Sequence, residues 1–174
     1  MVFQIYDARN LDFKDYIAIV QSARTLADGY DRKDEERLRA VLAPTVEVDY
    51  RLVSTTIQHR TCSIDEFVAK FLSPDLLGRQ TLLSQHFLGQ PYFKSVAEDE
   101  IVVEWQQIAG HGRWIKDSHP VKKQVDKTSD GRSYMEQRYK KINGVWKLAA
   151  LKPSVLYEVG EFGDVRADPE EKAP

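Results

Sequence analysis

The period of the apolar residues changes along this chain, and that change limits the folds open to it. After Asp12, residues Phe13, Tyr16, Ile17, Val20, Ala23, Leu26, Ala27 and Tyr30 recur at three- and four-residue steps, which predicts a first helix ending near Tyr30. The segment DEERLRAVLA predicts a second helix with Leu38, Val41 and Leu42 inward and Pro44 as its stop. Ser63 and Glu66 form a capping-box pattern that opens a third helix with Phe67, Val68, Phe71 and Leu72 on one side, closed by Pro74. Elsewhere the step is two. Val46, Val48, Tyr50 and Leu52 alternate with charged residues, so Tyr50 is expected on the buried face of an early strand. Further strands are expected at 82–96, 100–110, 133–142 and 145–157, the last two joined by Asn143-Gly144, a type I′ hairpin signal. Three helices and mostly antiparallel strands make an α+β domain in which a curved sheet wraps around helices.

Composition narrows the functional classes. The 174 residues carry 25 basic and 27 acidic side chains, so no global field attracts nucleic acid, and the basic runs at 138–141 and 121–123 are short. No apolar run is long enough to cross a bilayer, so membrane insertion is not expected. A single cysteine, Cys62, cannot form an internal disulfide or a CxxC site. The four histidines lack the i, i+4 spacing of a helical zinc site, so no metal is expected. The N-terminus lacks a basic region followed by an apolar stretch, which points to the cytosol. The expected organisation is an extension at 1–11, one domain at 12–163 and a charged, disordered tail at 164–174.

Polar residues that fall on an apolar face mark the candidate site, because burying such a group is costly unless it has a partner or a task. Tyr30 ends the inner stripe of the first helix, and Asp31 follows at the turn to the second. His86 shares a face with Leu82, Ser84 and Leu88, and His111 is in phase with Ile101, Val103 and Trp105. Ser133 and Met135 share a face of the strand that leads to the hairpin. Each has a purely structural reading when taken singly: a core tyrosine, a capping aspartate, a satisfied core histidine, a serine bonded to backbone. Together they supply a proton carrier, an acid to orient it and phenols that polarise a carbonyl. His59 and His119 read as loop residues, and no serine or cysteine has the context of a covalent nucleophile.

The stretches ADGYDRKDEERLRAVLAPTVEVDYR at 27–51, SQHFLG at 84–89, EDEIVVEWQQIAGHGRW at 98–114 and RYKKINGVWKLAALKPSVLYEVGEF at 138–162 resemble the fungal scytalone dehydratases. The resemblance implies an NTF2-like, cone-shaped barrel, assembled as a homotrimer around cofactor-free active sites. It implies loss of water from a hydroxylated, partly reduced aromatic polyketide ketone, a small-molecule substrate of pigment or melanin synthesis, with endosomal association as an alternative to the cytosol. The family's catalytic residues fall on Tyr30, Asp31, Tyr50, His86 and His111, and its pocket serine on Ser133. An asparagine that bonds the ligand in the family is Met135 here, and a pocket phenylalanine is Val53. The resemblance further implies that the segment around Tyr157 and Phe162 closes over the mouth. Ring cyclisation or isomerisation, and ligand binding without chemistry, are the rival readings on the same fold.

Overall fold

The computed structural model describes residues 3–53, 59–116, 118–119 and 121–167. Helix α1 (Phe13–Arg32) starts where the Asp12 side chain accepts from the Asp15 amide at 2.7 Å, and ends where Lys33 turns left-handed at φ 56°. It runs two residues past the expected end, so Asp31 lies in its last turn rather than in a connecting turn. Asp34 caps α2 (Glu35–Val41), which passes directly into strand β1 (Leu42–Val48). Pro44 therefore sits inside a strand and does not terminate the helix. It falls at a register shift between β1 and its parallel neighbour, where a missing N–H breaks no ladder bond.

β1 stops before Tyr50. The Asp49 carboxylate accepts from the Arg51 amide and guanidinium, and the Val53 amide closes a turn onto the Tyr50 carbonyl at 2.9 Å. Tyr50 is thus presented by a turn and is half-buried, not a strand residue on a buried face. Strand β2 (Arg60–Ser63) was not expected from the sequence; four residues are too few to reveal a period. Its last residue, Ser63, forms the anticipated capping box with Glu66 and opens α3 (Ile64–Phe71).

β3 (Leu82–Val96), β4 (Glu100–Ile115), β5 (Gln124–Ile142) and β6 (Val145–Val159) form a long antiparallel meander. Both β4 and β5 are longer than their apolar alternation indicates. Asn143 and Gly144 at φ 50° and 79° make the hairpin between β5 and β6. The strand order is β2-β1-β6-β5-β4-β3, an open mixed sheet rather than a closed barrel. Its concave side is filled by α1 and α3, through Ile19, Leu26, Phe67 and Phe71 against Ile101, Val103, Tyr139 and Leu148. A short helix, α4 (Phe162–Arg166), then returns to the sheet.

Order continues past residue 163, where a tail was expected to begin. Val165 is fully buried, and the Arg113 guanidinium donates to the carbonyls of Asp164 and Ala167. Residues 168–174 lie outside the described residues. Among the described residues no helix is long and apolar enough to cross a membrane.

Phe67 is fully buried, its ring 4.3 Å from Phe71 and 6.4 Å from Tyr30. Phe67→Ala is expected to lower the unfolding free energy by about 3–5 kcal/mol in denaturant titration. A drop below about 1 kcal/mol would mean that α3 is not part of the core.

Candidate active site

The site begins where the last turn of α1 meets β3. The two oxygens of Asp31 accept from two groups of one residue: Oδ2 from the His86 amide at 2.8 Å and Oδ1 from His86 Nδ1 at 2.6 Å. A carboxylate only accepts, so Nδ1 carries the hydrogen, and it is the Nε2 position that holds the lone pair in the neutral tautomer. Both side chains are almost buried, at 11% and 13% exposure, so water competes little for this pair.

On the neighbouring strand His111 is held differently. Ser84, opposite it in the β3–β4 register, lies 2.9 Å from Nδ1 through its hydroxyl. Burial, reinforced by the His86 imidazole, pulls the His111 imidazolium from its ordinary 6.5 down to about 3; Asp31 opposes the shift only in part. His111 is therefore neutral at physiological pH. The two imidazole rings lie 5.6 Å apart, edge to face.

The tyrosines sit on the other side of His86. The Tyr30 ring is 5.6 Å from it, and its buried hydroxyl has no hydrogen-bond partner among the described residues. Burial pushes the Tyr30 phenol well up, with smaller contributions from Tyr50 and Cys62, and burial pushes Tyr50 up as well. Both stay protonated and able to donate.

These groups surround a cavity of about 170 Å³, lined among others by Tyr50, His86, His111, Ser133, Met135 and Phe162, with Val53 at 41% exposure also on its wall. A smaller chamber of about 50 Å³ adjoins it and reaches Tyr30. Tyr50, His86 and Met135 line both. The structure thus brings together Tyr30, Tyr50, His86, His111, Ser133, Met135, Val53 and Phe162, and Asp31 reaches the cavity through His86. Phe162 opens α4 with its ring 4.5 Å from His111.

Tyr157 does not join them. A register shift between Arg132 and Ser133 turns Tyr157 to the convex face, and Glu158 lines the cavity instead. His59 pairs with Glu47 at 2.7 Å, and His119 accepts from the amides of Val121 and Lys122, so neither contributes. Among the described residues no three His, Cys, Asp or Glu side chains cluster to hold a metal. Ser84 and Gln137 were missed as candidates, although both are polar residues in phase with an apolar strand face.

Residues 10–173 match the scytalone dehydratase family. The chain belongs to that family. It is 48% identical to dehydratase cfoI of Aspergillus candidus over 95% of this chain and 96% of that one. It is 37% identical to a scytalone dehydratase of Pyricularia oryzae, covering 91% and 89% of the two chains. In fold it is similar to an NTF2-like family protein from Streptomyces avermitilis, with a TM-score of 0.64, 15% identity, and coverage of 82% and 97%. In this member of the scytalone dehydratase family, Met135 lies on the wall common to both chambers, at 7% exposure.

The neutral state of His111 has a consequence for stability. The unfolded chain binds a proton at His111 below about pH 6.5, whereas the folded chain does so only near 3, so stability falls as pH drops through that window. The decrease from this group is at most about 1.4 kcal/mol per pH unit. Thermal unfolding followed against pH is expected to show a shallower acid limb for His111→Asn than for the wild type, and equal slopes would contradict a neutral buried imidazole.

Proposed function

We propose that this chain removes water from a hydroxylated, partly reduced aromatic polyketide ketone by acid–base catalysis with its own side chains. The observation that carries this reading is the Asp31–His86 pair, which engages Nδ1 and leaves Nε2 free of Asp31 on a ring that lines a cavity shared with protonated phenols. Nε2 takes the proton from the carbon beside the ketone, while Tyr30 and Tyr50, directly or through one water, donate to the carbonyl oxygen as it gains negative charge. The imidazolium formed faces the Asp31 carboxylate and returns the proton to the departing hydroxyl. A C–H and a C–O bond break, a C=C bond forms, water leaves, and aromatisation drives the step. Neutral His111, with Nδ1 engaged by Ser84, and Ser133 position substrate oxygens.

The substrate is scytalone- or vermelone-like, or a larger anthracenone. Met135 favours the larger, less polar ring system, because a substrate oxygen left unpaired by the missing amide binds more weakly by about 1–3 kcal/mol. Mass-spectrometric turnover of scytalone beside hydroxylated dihydroanthracenones tests the reading. The expected product is lighter by one water; a product of unchanged mass would assign cyclisation or isomerisation, and unchanged ligand a binding module. On a confirmed substrate His86→Ala is expected to lose about 10²- to 10⁴-fold in kcat with its unfolding curve intact. Wild-type kcat in that variant would remove His86 from the proton transfer.

The same reading includes a homotrimer. On the convex face Phe87, Ile108, Arg132 and Tyr157 are paired in a row across four strands, and Phe87 and Tyr157 are 61% and 56% exposed. A row of three large apolar or aromatic side chains with one arginine supports burial between copies in a closed ring. Sedimentation is expected to give a trimer for the wild type and a smaller species for Ile108→Asp, and a monomeric wild type would overturn the assembly.

A further inference from the structure

On the inner face of β5 the residues Ser133, Met135, Gln137 and Tyr139 follow one another at steps of two, exposed by 7%, 7%, 2% and 0%. Gln137 is the anomaly among them: an uncharged but fully polar side chain deep in the core, on the wall of the small chamber with Tyr30 and Tyr50. Its carbonyl oxygen accepts from the Tyr139 hydroxyl at 2.7 Å, which fixes the orientation of the amide. Its nitrogen has no hydrogen bond to any described residue, yet it is not among the sealed, unpartnered atoms of the core. A donor with two hydrogens thus remains reachable from the chamber.

The chamber's size restricts what can take those hydrogens. At about 50 Å³ it is well below the roughly 150 Å³ of a cavity that binds benzene, so it admits one substituent and not a ring. Two residues along a strand span about 7 Å, so Gln137 lies that much deeper than Met135 and about twice as far from Ser133. The strand offers polar, apolar and polar contacts in sequence.

Resting on the dehydratase reading above, we propose that Gln137 forms an inner subsite that receives an oxygen substituent, a carbonyl or phenol, at the end of the substrate remote from Ser133. Met135 lines the apolar body of the ligand between the two polar ends. Met135 offers no hydrogen-bond donor, so the next one along the strand is Gln137, one step deeper, and the site selects an oxygenated, elongated ring system over a short one.

The test uses the full chain and two probes: a tricyclic hydroxyanthrone bearing a hydroxyl on its terminal ring, and its analogue with hydrogen there. Calorimetric binding to the wild type is expected to favour the hydroxylated probe. Gln137→Met, which keeps the side chain's length and removes its donor, is expected to weaken that probe alone by about 10- to 100-fold. Tyr139→Phe, which releases the amide from its anchor, is expected to weaken it by about 3- to 10-fold without changing the analogue, and it decides the question if Gln137→Met does not fold. A wild type with no preference, or variants that weaken both probes alike, would overturn the subsite and leave Gln137 a core amide or the anchor of a resident water. Turnover assayed in parallel keeps the claims apart. Gln137-dependent binding without loss of water from any substrate sinks the dehydratase reading alone, and turnover with both probes affected equally sinks the subsite alone.

Discussion

One carboxylate joins the fold to the chemistry. Asp31 closes the end of α1 onto β3 by accepting from the backbone and the side chain of the same histidine, across 55 residues of sequence. The backbone hydrogen bond sets where the helix docks on the sheet, and the side-chain hydrogen bond sets the tautomer of the imidazole. Neither can change without the other, since both use the same rigid carboxyl plane. Removing the acid would leave a buried ring free to choose its tautomer and a strand amide unpaired, and an unpaired buried donor is costly in itself.

The electrostatics of the cavity follow from that arrangement. Apart from Asp31, the groups closest to His86 are neutral: burial keeps both phenols protonated and His111 uncharged. A charge that develops during reaction then meets oriented dipoles in a medium of low polarity, where each hydrogen bond has more effect than in water. The Asp31 carboxylate lies on the Nδ1 side of the imidazole, where in the proposed reaction it would stabilise the protonated ring, while Glu158 on the cavity wall has Oε1 accepting from the Ser129 hydroxyl and the Phe162 amide.

The sequence carried most of this architecture because most of it is periodic. The capping box at Ser63, the Asn143-Gly144 hairpin and the in-phase polar residues His86, His111 and Ser133 all depend on local spacing, and all stand where spacing predicts. The exceptions depend on tertiary packing. Pro44 tolerates a strand because of a register shift, Tyr50 leaves its alternation because Asp49 and Arg51 bend the chain, and Tyr157 turns outward because of an extra residue in β6. No window of sequence holds that information. Val165 stands in a charged stretch that hides its role, and its burial depends on Arg113, more than fifty residues away.

The face of β5 shows how far reaction and recognition are separable on such a scaffold. The groups proposed to handle protons come from α1, β3, β4 and the turn after β1, whereas Ser133, Met135 and Gln137 come from one strand between β4 and β6. A substitution on that strand changes what is held without moving the Asp31–His86 pair, which is fixed by the other elements. Strand geometry also quantises such changes, because only every second residue faces the cavity, at intervals of about 7 Å. A hydrogen bond removed at one inward position can be replaced only at the next, and that shifts the preferred ligand by a substantial fraction of a ring system. On that spacing the thioether of Met135 and the buried amide of Gln137 are successive contacts about 7 Å apart, and under the proposed reading a ligand that meets both must be long enough to carry an oxygen to the inner one.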